Sequence, residues 1–177
     1  MRIVTYGAAV SLDGFIGGPQ GELDWLHYSK DVQEVMGAYW KTIDTILMGR
    51  KTWSDAVARG GADGGGLSDG MQTYIFSRTL KEIPGKGAKL VTTDAVTFVR
   101  ELKSKPGKGI CLMGGGDFAR SLFQAGLVDE VGLNIQPVLL GGGIPMFPDI
   151  GKRVKLELIE NRTLHGGCAY VLYRMKR

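Results

Sequence analysis

The chain is poor in the residues that build metal centres and disulfide scaffolds. Only two cysteines and two histidines occur in 177 residues, with no metal-ligand spacing among them, which leaves no material for a His-based metal site. Cys111 and Cys168 each fall in an apolar strand-like run, so two buried, reduced thiols are predicted rather than a bridge. No apolar run approaches the ~20 residues of a membrane span, and Met1-Arg-Ile-Val4 leads into a strand with no secretory segment before it. A cytoplasmic protein is the expectation. A basic stripe with interleaved aromatics is also missing. The net charge of +4 is scattered, densest in the tail from Arg174, which argues against nucleic acid as a partner and suits small phosphorylated anions.

Glycine is plentiful and concentrated. Ile110 to Phe123 reads as a short buried strand, a bare-backbone turn at Gly114, Gly115 and Gly116, and a helix opening at Asp117 whose Phe118, Leu122 and Phe123 share a face. Such a turn lets a ligand approach the backbone, and the N–H groups of the first helical turn favour phosphate. A tight turn that merely needs positive φ is the equal alternative from these residues alone.

Two other strand ends repeat the theme. Thr45 to Met48 runs into Gly49-Arg50-Lys51-Thr52, and Gln72 to Phe76 into Ser77-Arg78-Thr79, each placing cations and hydroxyls where a strand stops. Between them, Arg59 to Gly70 reads as a glycine-dense loop rather than a domain linker. Upstream, Arg2 to Val10 reads as a central strand followed by a long Gly/Pro loop, and Ser29 caps a helix bearing Val32, Val35, Met36, Tyr39, Trp40 and Ile43. Ala88 to Thr92 is a short strand, and Asp94 caps a helix carrying Val96, Phe98, Val99 and Leu102 that Pro106-Gly107 stops. Val128 to Leu140 reads as a strand and Gly141 to Pro148 as an irregular loop. Lys155 to Arg162 and Ala169 to Lys176 form a terminal hairpin about Gly166-Gly167. The order predicts one domain over residues 1–177, an α/β fold in three layers with a mostly parallel sheet and an antiparallel edge.

Gly114-Gly-Gly-Asp-Phe-Ala119 formally matches the dinucleotide fingerprint G-x-G-x-x-A, but lies two-thirds along the chain rather than in a first βαβ unit. The sequence has no phosphate-binding P-loop and no nucleophile elbow. Taken together, Ser11-Leu-Asp-Gly-Phe-Ile-Gly17, Ile46-Leu-Met-Gly-Arg-Lys-Thr-Trp53, Ile75-Phe-Ser-Arg78, Met113-Gly-Gly-Gly116 and Gly141-Gly-Gly-Ile-Pro-Met-Phe147 resemble the dihydrofolate reductase superfamily. The branch they look closest to contains the C-terminal reductase domain of the bacterial riboflavin-biosynthesis deaminase-reductase.

That resemblance implies a dihydrofolate reductase-like fold and NADPH as hydride donor. It implies that Gly49, Arg50, Lys51 and Thr52 lie beside the pyrophosphate and 2′-phosphate, and that Ser77, Arg78 and Thr79 line the adenosine side. Gly114, Gly115, Gly116, Asp117 and Phe118 would pass under the nicotinamide ribose and pyrophosphate, and Ala9, Ile16 and Gly17 would border the nicotinamide. The helix position where dihydrofolate reductase carries its pterin-binding carboxylate falls near Gln33, which is not an acid, so the residues leave open whether folate is reduced. Asp13, Trp25, Asp31 and Glu34 are the candidates to hold or protonate a substrate. Against this stand a turn residue, a core residue, a helix-start charge and a solvated face, the last two favoured for Asp31 and Glu34. The expected activity is NADPH-dependent reduction of a pteridine or pyrimidine-like heterocycle, with the phosphoribosylaminouracil reductase of riboflavin synthesis as the sharper alternative. A non-catalytic NADPH sensor is the competing class. Relatives in the riboflavin branch suggest a homodimer paired through the late sheet edge.

Overall fold

The computed structural model describes residues 1–59, 70–83, 87–147 and 149–176; the predicted loop between Arg59 and Gly70 lies outside them except at its ends. The strands are β1 (Val4–Ser11), β2 (Phe15–Gly17), β3 (Ile43–Gly49), β4 (Gln72–Phe76), β5 (Ala88–Val91), β6 (Gly109–Leu112), β7 (Glu130–Gln136), β8 (Ile144–Pro145), β9 (Leu156–Thr163) and β10 (Ala169–Met175). The helices are α1 (Lys30–Trp40), α2 (Arg50–Ala58), α3 (Ala95–Ser104) and α4 (Gly116–Gln124). Eight strands form one sheet in the order β5-β4-β3-β6-β1-β7-β10-β9. β1 through β7 within it run parallel, and β10 and β9 return antiparallel.

Helix boundaries follow local chemistry. Ser29 and Asp94 cap α1 and α3 by accepting from the amides of Val32 and Thr97. The apolar face of α1 and α2 packs Tyr39, Trp40, Trp53 and Val57 against Ile46, Met48 and Cys111 on one side of the sheet. On the other side Val99, Leu102, Ala119, Leu122 and Phe123 of α3 and α4 pack against Val4, Tyr6, Leu47 and Leu112. Three layers result, with β1 between β6 and β7 at the centre.

The structure shifts several expected boundaries. β1 begins at Val4, because Arg2 instead turns its buried guanidinium to Asp44 and Thr45. β7 stops at Gln136, since Pro137 has no amide to continue a ladder. Phe15–Gly17 and Ile144–Pro145, both expected as loop, pair as a small separate sheet that ties the two Gly/Pro loops together. β9 is the edge, with Leu156, Leu158 and Ile159 all exposed. No helix among the described residues is long and apolar enough to cross a membrane.

Both thiols are buried and unbridged, and burial pushes Cys111 up to about 11 and raises Cys168 above its ordinary value. Thiolate is the reactive form, so at about pH 8 the native protein should give no reaction with Ellman's reagent, and two thiols should titrate once it is denatured. Rapid native labelling of either cysteine contradicts this packing.

Candidate active site

The crevice follows from chain direction. β3 and β6 are sheet neighbours, yet β3 continues into α2 on one face and β6 into α4 on the other. Their carboxyl ends part, and a crevice opens there, as in open α/β sheets generally. Backbone bridges the gap: the Gly49 amide donates to the Gly114 carbonyl at 3.0 Å. A Cβ on Gly115 would stand 2.9 Å from the Gly49 Cα, and Gly115 holds φ +97. The glycines here are thus required by contact between two main chains.

A cleft of about 730 Å³ occupies this place and extends over the ends of β4 and β5. Gly49, Arg50, Lys51, Ser77, Arg78, Thr79, Gly115, Gly116, Asp117 and Phe118 line it, so most of the predicted cofactor residues are brought together. Gly114 and Thr52 sit just behind, a Cβ on Gly114 lying 3.6 Å from the Thr52 Oγ1. Ala9, Ile16 and Gly17 do not line this cleft. Ile16 packs on the main core, Gly17 is buried beside Gly21 and Ile144, and Ala9 is registered against Asn134 on β7.

Two helices begin in the cleft without a side-chain cap: Gly49 and Gly115 occupy the N-cap positions of α2 and α4, whereas α1 and α3 are capped by Ser29 and Asp94. Their first-turn amides are therefore free to meet an anion. Among the described residues the side chains of Arg50, Lys51 and Arg78 make no hydrogen bond or ion pair. Phe118 stacks on Phe76 at 4.2 Å between ring centroids and forms the apolar floor.

One wall was not legible in advance. Thr92, Thr93, Asp94, Val96 and Ser121 also face the cleft, because β5 lies outside β4 and carries its end alongside. The Asp94 carboxyl is held below the usual range chiefly by the Thr97 amide it caps. The sequence signal available was its capping position, which said nothing about the cleft.

The candidate substrate residues take mostly architectural places. Asp13 accepts from the Ser11 hydroxyl at 2.7 Å and from the amides of Gly141 and Leu140 at 2.8 and 3.1 Å, and these donors, Ser11 first, hold its carboxyl below the usual range. Half-buried Trp25 donates its indole N–H to the Glu22 carbonyl at 3.0 Å. Glu34 is exposed on α1. Asp31 ties the start of α1 to the β9–β10 turn, accepting from the Ser29 hydroxyl, from the His165 amide at 2.7 Å and from the Val32 amide, with the His165 ring Nδ1 at 2.9 Å. Those bonds, Ser29's foremost, hold Asp31 well below ordinary carboxylate values.

A carboxylate depressed in the folded state lends stability that is present above its unfolded pKa of about 4 and is lost as pH falls toward the folded value. Asp31→Ala should therefore melt below wild type by a constant margin from about pH 7 down to about pH 5, with the margin shrinking below about pH 4. Thermal melts across that series check it. A margin independent of pH would place the effect elsewhere.

The three-layer sheet order with its crevice at the β3–β6 carboxyl ends is a dihydrofolate reductase-like fold. Residues 2–170 match the RibD C-terminal domain family, and the chain belongs to it. It is 35% identical over 180 residues to the uncharacterized protein YyaP of Bacillus subtilis strain 168, covering 97% of this chain and 94% of that one. A putative riboflavin biosynthesis protein from Shewanella sp. PV-4 superposes with TM-score 0.84 at 27% identity over 99% of both chains. The deaminase/5-amino-6-(5-phosphoribosylamino)uracil reductase of Thermotoga maritima does so at 0.72 and 14% identity, this chain spanning 57% of its length. Enterococcus faecalis dihydrofolate reductase, solved with NADP(H), superposes at 0.70 and 16% identity over 99% of this chain and 97% of that one.

Proposed function

We propose that the protein is an NADPH-dependent reductase that delivers hydride to a small planar heterocycle of pyrimidine or pteridine type. The observation that carries this reading is the meeting, at the β3–β6 crevice of a RibD C-terminal domain chain, of two uncapped helix starts with three cations that have no partner among the described residues. Those groups fit a dinucleotide. The amides at Gly49 and Gly115 suit its pyrophosphate, and Arg50, Lys51 and Arg78 suit a 2′-phosphate, which guanidinium forks hold through paired charged hydrogen bonds. Phe118 and the glycine main chain offer a flat face where side chains would collide with the bound cofactor.

NADPH, when bound, supplies the hydride. The protein's own part is positioning, which by itself lowers such a barrier substantially. Asp13 anchors the β1–β2 turn to the β7–β8 loop and so shapes the site's edge; a carboxyl held ionised by three donors has no proton to give near neutrality. The phosphoribosylaminouracil reductase step is the narrower form of the reading, favoured by the family. A cofactor sensor without turnover is the rival.

Titration of the protein with NADPH and NADH by tryptophan quenching tests the site. NADPH should bind at least about tenfold tighter, because two or more charged hydrogen bonds are at stake. Oxidation of bound NADPH on mixing with 5-amino-6-(5-phosphoribosylamino)uracil or dihydrofolate supports the enzyme, whereas tight binding without oxidation by any heterocycle tried leaves the sensor. Failure of both cofactors to bind at millimolar concentration removes the proposal altogether.

A further inference from the structure

A second cleft, of about 520 Å³, lies at the other end of the sheet. Thr5, Ile43, Gly109 and Glu130 line it, and each stands at or next to the start of its strand, β1, β3, β6 and β7. The cleft therefore opens at the amino ends, away from the crevice, and the two share no lining residue. Its walls are apolar along the middle, where Val35, Ala38 and Tyr39 of α1 face Leu172 of β10. Its two sides carry opposite charge.

Arg2 forms the cationic side. Its side chain is only 6% exposed, a place where a charge needs its hydrogen bonds completed. Nε donates to the Lys108 carbonyl at 2.6 Å, and Nη2 donates to the Asp44 carboxylate, to the Thr45 hydroxyl at 2.7 Å and to the Gly109 carbonyl at 3.4 Å. Nη1 makes no hydrogen bond among the described residues. Nor is it sealed from solvent, as the unpartnered buried atoms of Tyr39, Trp53, Asn134 and Gln136 are. It is left to face the cleft that Arg2 lines. Lys108, whose ammonium rests on the Lys41 carbonyl at 3.1 Å, adds a second positive charge on this side.

Glu130 forms the acidic side. Its side chain is 13% exposed, and the exposed Arg174 occupies one of its oxygens at 3.0 Å. The second oxygen has only the Thr5 hydroxyl at 3.5 Å, the outer limit of a hydrogen bond. Glu160, held by the exposed Arg162, lines the cleft beside it. Burial first, then the charge of Glu160, raises the Tyr170 phenol against the opposing pull of Arg162, and Glu130 adds to the rise. Both carboxylates thus stand around a hydroxyl that has no partner of its own among the described residues. This side is rich in acceptors and short of donors.

We infer that this cleft is a second ligand site, taking a slender zwitterion whose anionic group meets Arg2 Nη1, whose ammonium meets Glu130 and Tyr170, and whose apolar spacer lies on α1. Sheet order sets the span. Arg2 reaches to Gly109 on β6 and Thr45 on β3, whereas Glu130 lies on β7, and β6 and β7 are two strand intervals apart, about 10 Å. An α-amino acid carries both charges on one carbon and is too short to meet both sides. An ω-amino acid on an extended or flat spacer is long enough. A ligand with a single charge leaves the opposite ion, itself nearly buried, short of a partner and forfeits a charged hydrogen bond. The volume is ordinary for a small-ligand site. This site stands apart from the reductase reading, because it uses none of the crevice residues.

The test compares probes on one flat frame: 4-(aminomethyl)benzoate, 4-methylbenzylamine, which lacks the carboxylate, and 4-methylbenzoate, which lacks the ammonium. Phenylalanine supplies both charges on a single carbon. Calorimetry is run on the full chain, with and without NADPH. 4-(Aminomethyl)benzoate should bind wild type at least about tenfold tighter than each of the other three, and equally in both states. Glu130→Gln keeps the size of the side chain and removes its charge. It should weaken 4-(aminomethyl)benzoate about tenfold while 4-methylbenzoate and NADPH bind as before. No binding of 4-(aminomethyl)benzoate at millimolar concentration, or an affinity matched by any of the other probes, overturns the inference on wild type alone. Its displacement by NADPH overturns it too, by placing the probe in the crevice, and so does unchanged binding by a folded Glu130→Gln chain. Discrimination among the probes by a protein that binds no NADPH sinks the reductase reading alone, and NADPH binding without discrimination sinks this inference alone.

Discussion

Replacing Arg50 and Arg78 together by alanine should raise the dissociation constant for NADPH by roughly 10²–10⁴ and leave that for NADH within a few-fold. A hydrogen bond to a charged group contributes about 1.5–3 kcal/mol, and two such bonds to a 2′-phosphate amount to about 3–6 kcal/mol, or two to four decades. NADH has no 2′-phosphate to lose. Neither arginine is bonded to another described residue, so the double variant should melt with wild type. Lys51→Ala should add a smaller loss that fades with salt, as a point charge without a fork does. Calorimetry with the two cofactors decides. Equal loss for both would move these arginines from the 2′-phosphate to the pyrophosphate, and no loss for either would empty the crevice of its proposed ligand.

The arginines were visible in the sequence because strand ends are. A buried run that meets Gly-Arg-Lys-Thr or Ser-Arg-Thr announces where the chain leaves the sheet, and the parallel order brings those ends to one rim. Ser29 and Asp94 likewise announced α1 and α3, since capping is decided by three or four neighbouring residues. Distant pairings were not visible. Thr92 to Asp94 reach the cleft only because β5 lies outside β4, and strands as short as β2 and β8 carry no period to detect. The contact of Gly49 with Gly115 gives both glycines their purpose, yet each alone reads as any other glycine in a turn. Asn134 and Gln136 fall on the polar side of a run that alternates against Val131, Leu133 and Ile135. The structure buries them because α1 and the His27 segment cover that side.

The same limit hides the residue whose removal should cost the fold most. Asp129→Ala should destabilise the protein by about 3–5 kcal/mol, a fall in melting temperature on the order of 10 °C for a chain of this size. Lys103, in the last turn of α3, is 2% exposed, and its ammonium meets the Asp129 carboxylate and the Leu127 carbonyl, the latter at 2.9 Å. The Asp129 carboxylate also accepts from the Val4 amide at 2.9 Å, and its main chain bonds Val4 and Met175, so this one residue joins α3, the start of β1 and the end of β10. Alanine strips a buried ammonium of its counter-charge and a buried amide of its acceptor at once, and uncompensated buried charge is what makes a broken pair costly. The paired replacement Lys103→Met with Asp129→Leu removes both charges together and should recover most of the loss, since the pair's attraction is largely offset by its desolvation. Urea and thermal melts of the four chains in this cycle measure the coupling. The pair sits at the amino ends of the strands and the crevice at the carboxyl ends, so below its transition Asp129→Ala should bind NADPH as wild type does. A variant that keeps its melting temperature would show that solvent reaches Lys103, and one that stays folded but loses cofactor would show that the two ends of the sheet are coupled.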